Sequence, residues 1–236
     1  MKRLLIGSWL VVALVLAGCG GSSKNNSASA TTVPTPTGEQ VIQQSAAAVQ
    51  ALQSFHFKFS NQNGTTPLPL GMGLDTAEGD VGVPDKLSAA VKAKAGGINV
   101  NVKVIGIGDQ TWVTNPFTRD WQKLPGASIR DFADPATLVT SLLPKIQNPQ
   151  IVGTTEMGGV KTYDVKGTID SGSLSDALTF VQPGHLVNVE AWIGVDDSLP
   201  RRVMLSGPLT ADESAQISRQ VDISGFNEPI NIQPPQ

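Results

Sequence analysis

Apolar residues recur along this chain with three different spacings, and each spacing predicts a different element. From Leu4 to Leu16 they run almost unbroken, interrupted by Gly7 and Ser8 and preceded by Lys2 and Arg3. Such a run, roughly 13 residues, fits the about 7–15 of a signal-peptide core and falls short of the roughly 20 that span a bilayer. From Thr37 the spacing turns helical. Val41, Ile42, Ala46, Val49 and Leu52 define one apolar face, and Thr37-Gly38-Glu39-Gln40 has the form of a capping box. The period then drops to two. Phe55, Phe57 and Phe59 alternate with His56, Lys58 and Ser60, as in a strand with one buried face.

Most of the remainder reads as further strands. Ile98, Val100, Val102 and Val104 alternate with Asn99, Asn101 and Lys103, and Asp109-Gln110 turns the chain into Thr111-Trp112-Val113. Tyr163, Val165 and Ile169 share a face, and Val187, Val189, Ala191, Ile193 and Val195 form another. Asp196-Asp197-Ser198-Leu199-Pro200 turns into Arg201-Arg202-Val203-Met204-Leu205. A last strand carries Ile217, Arg219, Val221 and Ile223 and ends near Phe226. Helical pieces are expected at about 129–143, stopped by Pro144, and at about 173–181, stopped by Pro183. Strands joined by turns, with helices set apart, predict an α+β domain on one antiparallel sheet. Some strands are apolar on both faces: Ile105 and Ile107 against Val102 and Val104, and Trp192 opposite Val189 and Ile193. Either helices cover both faces, or one face lines an internal apolar space.

The apolar run at the start ends in Leu16-Ala17-Gly18-Cys19. Small residues at 17 and 18 suit a peptidase groove, and a cysteine directly after them offers a thiol for diacylglycerol transfer. It is the single cysteine of the chain. The expected organisation is a signal peptide over 1–18, an acylated Cys19 opening a tether over 19–37, and a folded domain over 38–236. Cys19 would hold the domain on the extracytoplasmic side of a membrane. The Gly, Ser, Asn, Thr and Pro of the tether cannot bury enough surface to offset ordering, and a coil of that length spans on the order of 20–25 Å. Net charge is −3 and becomes −5 once Lys2 and Arg3 leave with the signal peptide. No basic run interleaved with aromatics points to nucleic acid. With Cys19 acylated, no thiol remains for disulfides or redox chemistry.

Catalytic and metal patterns are weak. His56 and His185 each stand alone and suit structural, hydrogen-bonded or solvent-facing roles. No second histidine or cysteine completes a metal site, and Asp196-Asp197 lacks the alternating carboxylates of a calcium loop. A turn with an Asp facing Arg201 or Arg202 is the simpler reading. Gly71-Met72-Gly73 and Gly106-Ile107-Gly108 are too short for a phosphate loop. Asp212-Glu213 suits the start of a helical turn after Thr210. No catalytic residue, metal or cofactor is expected. The stretch from Asn63 to Gly79 is apolar for a loop, with Leu68, Leu70, Met72 and Leu74, yet rich in Pro and Gly for a central strand. It is either an arm packed across the sheet or a mobile flap over an apolar opening.

Several ordered segments carry a family likeness. They are Leu52-Gln53-Ser54-Phe55-His56-Phe57, Gly108-Asp109-Gln110-Thr111-Trp112-Val113, and the long run from Val189-Glu190-Ala191-Trp192-Ile193-Gly194 through Leu199-Pro200-Arg201-Arg202-Val203. The close is Val221-Asp222-Ile223-Ser224-Gly225-Phe226-Asn227-Glu228-Pro229. With the Cys19 motif, the chain resembles the LppX/LprA/LprF/LprG lipoproteins of mycobacteria and related bacteria, over roughly 38–234. The resemblance implies a half-barrel, a strongly curved antiparallel sheet wrapped by helices around an apolar cavity, with a general shape like the LolA/LolB carriers. It implies an acylated lipid or glycolipid as ligand, carried across the envelope, with an envelope transporter as candidate partner. Under that reading Val100, Val102, Val104, Val189, Ala191, Ile193, Val203 and Leu205 face the cavity. A non-catalytic scaffold or sensor binding a protein partner is the alternative, and a lipid hydrolase a more distant one.

Replacing Cys19 by Ser tests the anchor. The protein should leave the membrane fraction, and the acyl mass on its N-terminal peptide should disappear from the mass spectrum.

Overall fold

The capping box closes. In the computed structural model, which describes residues 35–68, 71–128 and 135–236, the Gln40 N–H donates to Thr37 Oγ1 at 3.2 Å and the Thr37 N–H donates to Gln40 Oε1 at 2.9 Å. Two otherwise unpaired amides are thereby satisfied, and helix α1 runs Gly38–Gln50. Its buried face holds the expected Val41, Ile42, Ala46 and Val49. Cys19 and its leader lie outside the described residues, as does the tether up to residue 34.

Strands follow: β1 Ser54–Gln62, β2 Thr66–Leu68, β3 Met72–Gly82, β4 Lys86–Ala95, β5 Ile98–Ile107, β6 Gln110–Thr114 and β7 Trp121–Leu124. Helix α2 (Pro135–Leu142) and a 3-10 turn (Leu143–Lys145) separate these from β8 Gln147–Met157, β9 Val160–Asp170, β10 Leu186–Gly194, β11 Pro200–Ser206 and β12 Ser218–Ser224. One antiparallel sheet takes them in the order β7-β6-β5-β4-β3-β1-β12-β11-β10-β9-β8, with β2 attached to β3. Neighbours follow one another along the chain except at β1, which pairs with β3 across the intervening β2 and with β12, bringing the start and the end of the domain together in mid-sheet. The sheet stays open, with β7 and β8 as its edges. Two hairpins turn on glycine pairs, Gly96-Gly97 and Gly158-Gly159, with φ of 55° and 82° and of 57° and 80°. Two consecutive left-handed residues make the tight turn that matches strand twist, and glycine takes them without strain.

The antiparallel sheet is as expected, but helix is scarcer. The piece expected at 173–181 is a 3-10 turn over Ser171–Leu174 followed by turns. Of the piece expected at 129–143, α2 covers Pro135–Leu142, and 129–134 lie outside the described residues. Pro144 sits inside the 3-10 turn that closes α2.

The largest correction concerns residues 63–79. From Met72 they form β3, an interior strand bonded to β1 on one side and β4 on the other. Its glycines are admitted because of where they sit. A side chain at Gly79 would come within 2.0 Å of the Ser88 carbonyl oxygen on β4, and one at Gly73 within 2.4 Å of Thr65 Oγ1. Pro67 lies in β2, which pairs only with β3 and so has a free side where no N–H is needed.

Helix α1 lies against β8, and Gly38 sets how closely. A Cβ there would stand 2.2 Å from the Pro149 carbonyl oxygen. Gly38→Ala should therefore cost about 1–3 kcal/mol, the usual range for overpacking, and lower the thermal midpoint. Gly153→Ala in β8, where a Cβ meets nothing within 4 Å, is the control and should stay within about 0.5 kcal/mol of the parent.

Candidate functional site

Strand register places one apolar face across most of the sheet. Phe57 lies between Gly79 and Ile223, and Phe59 between Ala77 and Val221. The rows continue outward through Ala89, Val104 and Val113, and through Val91 and Val102. Side chains alternate along each strand, so these positions share a side. Over this face stand Leu142, Leu143, Leu178 and Phe180, and between lies a hollow of about 450 Å³. It stays unfilled for a simple reason. Ala77, Ala89 and Ala93 occupy its floor together with the short valines of β4 and β5, and none of these reaches across to the residues opposite.

The opposite face answers the question raised by two-sided apolar strands without helices over it. Trp112 is capped by Lys123, whose Nζ is 5.6 Å from the ring centroid, and Trp192 by Arg202 at 6.0 Å. Cationic side chains with long apolar stems shield the rings from water.

The expected cavity positions divide. Val100, Val102, Val104, Val203 and Leu205 line the hollow. Val189, Ala191 and Ile193 do not. They share the inner face, but their exposures of 2 %, 0 % and 0 % place them inside the close-packed cluster with Val41, Val49 and Leu174. Alternation reports the side of a sheet and says nothing of whether that side is filled. Leu68, Met72 and Leu74 also line the hollow, but from paired strands; a flap over an opening is not their arrangement. Leu70 lies outside the described residues. The aromatic wall of Phe55, Phe57 and Phe59 was absent from the expected positions although its alternation was plain.

Three polar side chains meet this hydrocarbon lining: Thr66, Thr111 and Arg219. Arg219, 3 % exposed, is held by a buried network. Its Nε donates to Thr66 Oγ1 at 2.9 Å, one terminal nitrogen donates to the Gly207 carbonyl at 3.2 Å, and the other donates to Glu213 Oε1. Glu213 Oε2 accepts from the Leu209 N–H at 2.6 Å. Burial draws the Arg219 guanidinium below its ordinary pKa, opposed by the hydrogen bond and the charge of Glu213. Glu213 is thus an ion-pair partner and does not serve a helix start. The signal for this network was Arg219 itself, an arginine at an apolar position of the last strand. Thr111 differs. Its hydroxyl is buried on the lining and finds no hydrogen-bond partner among the described residues.

The remaining titratable residues lie away from the hollow. His56 Nδ1 is 2.8 Å from Asp80 Oδ1, on the face opposite Phe55 and Phe57. His185 serves through its backbone, exchanging bonds with Ser171. Asp197 accepts from the Arg201 guanidinium and from the Leu199 N–H, closing the expected turn. Asp164, beside buried Val165 on β9, is raised from its ordinary value by burial and then by neighbouring Glu190, with Lys166 opposing. Among the described residues no group of three or more His, Cys, Asp or Glu could hold a metal ion.

The chain belongs to the LppX_LprAFG lipoprotein family, whose model matches residues 37–232. Its fold is similar to the crystal structure of LprF from Mycobacterium bovis, with a TM-score of 0.67 at 18 % identity, covering 86 % of this chain and 98 % of that one. It is also similar to the lipoprotein LppX of Mycobacterium tuberculosis, with a TM-score of 0.60 at 25 % identity, covering 83 % and 97 %. A LolA superfamily protein from Nitrosomonas europaea aligns at a TM-score of 0.28 and 13 % identity over 85 % and 96 %, too distant to argue from. Comparison by sequence with curated proteins finds no match.

Glu213→Ala should be severely destabilising, because it strands a buried guanidinium. A loss of about 3–5 kcal/mol is expected in urea unfolding. Replacing the pair together, Glu213→Leu with Arg219→Met, should recover most of it.

Proposed function

We propose that this member of the LppX_LprAFG lipoprotein family holds an acylated lipid or glycolipid in the hollow and carries it across the cell envelope while tethered through Cys19. The supporting observation is the hollow itself: about 450 Å³ lined by hydrocarbon, where two of the three polar side chains, Thr66 and Arg219, are bonded to each other. Each acyl CH₂ withdrawn from water contributes about 0.8 kcal/mol, so a dry groove binds long chains without charged contacts. Empty space also costs. At about 24 cal/mol per Å³, a closed and dry hollow of this size would forfeit on the order of 10 kcal/mol, as much as a domain's whole net stability. An occupant removes that cost. The unpaired Thr111 hydroxyl offers a hydrogen bond to an ester carbonyl or a chain hydroxyl of such a ligand. In this reading the helical pieces and the ligand together complete the wrapped half-barrel. A scaffold for a protein partner would call for a filled inner face, which the alanines at 77, 89 and 93 do not supply.

Purified from a bacterial envelope extract, the protein should carry lipid detectable by native mass spectrometry. Val102→Trp, which projects an indole into the hollow, should lower the lipid-bound fraction several-fold with little change in fold. A bare polypeptide that takes up no added lipid would overturn the reading.

A further inference from the structure

Two of the most exposed large apolar side chains stand on neighbouring hairpin tips. Ile98 follows the Gly96-Gly97 turn between β4 and β5 and is 63 % exposed; Phe117, in the turn between β6 and β7, is 83 % exposed. Val104 pairs with Val113, so both turns leave the same end of the sheet. The β2–β3 hairpin joins them there, since Met72 pairs with Ala95. The other end carries the turns at 83–85 and 108–109, tied by the Gly108 N–H donating to the Asp85 carbonyl.

A single exposed hydrophobe is ordinary. These two are distinguished by their surroundings. Lys92, Lys94 and Lys103 are exposed on the outer face of the β4–β5 hairpin, where Lys94 pairs with Asn99 and Lys92 with Asn101, and exposed Arg119 shares the turn of Phe117. On the β3–β7 half of this end the acids are Asp120 in the same turn and half-buried Asp75 on β3; the turns of the other half carry Asp170, Asp212 and Asp176, the last paired with Lys145. From Leu87 to Leu124 the chain carries Lys92, Lys94, Lys103, Arg119 and Lys123 against Asp109 and Asp120, while the whole chain has a net charge of −3. A basic end with protruding apolar tips on an acidic protein has the chemistry of a surface that meets anionic lipid.

We propose that the β4–β7 corner of this end docks on an anionic bilayer, with Phe117 and Ile98 entering the headgroup layer and Lys92, Lys94, Lys103 and Arg119 resting on its negative charge. Docking has a consequence for the hollow. Its lining reaches the foot of the same tips through Met72, Leu74, Ala93 and Val100, so the docked end is the one through which an acyl chain would have the shortest path to the membrane. The surface itself stands apart from whatever the hollow contains.

Flotation with vesicles tests this on the chain from Gly20 to Gln236. That chain lacks the acyl anchor and keeps every described element, and residues 36–236 form one compact unit with its own core. Vesicles of phosphatidylcholine with about a third phosphatidylglycerol should carry the protein up the gradient. Pure phosphatidylcholine, high salt, Lys92→Gln/Lys94→Gln/Arg119→Gln or Ile98→Ser/Phe117→Ser should each reduce the floated fraction by about tenfold. Lipid uptake by the hollow, followed by native mass spectrometry, should be unchanged in both variants, which separates this surface from the cavity. No flotation with anionic vesicles overturns the proposal. Equal flotation of Ile98→Ser/Phe117→Ser overturns it too, since charge alone would then account for binding.

Discussion

Ala77, Ala89 and Ala93 are held on the same side of the sheet as Phe55, Phe57 and Phe59 by the hairpin register of β1, β3 and β4. That register decides the architecture. A slip of one residue would turn the whole set to the outer face, and larger side chains would close the space above. Small side chains facing Leu142, Leu143, Leu178 and Phe180 leave a volume that the chain itself does not fill. The hollow is thus written into side-chain size along two strands, and the sheet's hydrogen bonds keep those strands in place.

A domain that leaves such a volume open must be anchored elsewhere. The half formed by β8, β9 and β10 is packed solid, with Ile169, Val187, Ala191 and Ile193 at 0 % exposure. Helix α1 lies against it, at a distance set by Gly38 and Pro149. The Arg219–Glu213 pair is a second anchor, fastening the 207–213 segment to β12 and β2 through Gly207, Leu209 and Thr66. Buried pairs add little net stability, but they tolerate only one arrangement of their partners. Here the pair closes one wall of an apolar space without offering it free charge.

Under the proposed function the two halves divide the work: a close-packed half keeps the fold, and an unfilled half gives a ligand somewhere to go. On the outer face of the sheet Trp112 and Trp192 are capped by cationic side chains, and exposed lysines stand on β4 and β5. Its hairpin tips break that pattern, which is why they draw notice as a contact with lipid.

From the order of residues alone came the expectation of a leader ending before Cys19, and with it the capped first helix, the alternation of β1, β5, β9, β10 and β12, the turn at Asp197, and, through the resemblance, the family. All of these are local or near-local: a period, a cap, a turn or a short motif carries its meaning in the order of residues. It did not reveal β3 and β4, because glycines and alanines weaken the very contrast that marks a strand; only the partners on either side, and the steric fit of Gly79 against Ser88, make them interior strands. It could not say which inner-face valines border open space. Val102 and Val189 read alike along the chain, and what separates them is the matter across from each: a gap above β5, a helix and packed leucines above β10. Filling is a property of two surfaces that lie far apart in sequence, so tertiary structure alone decided where the hollow is.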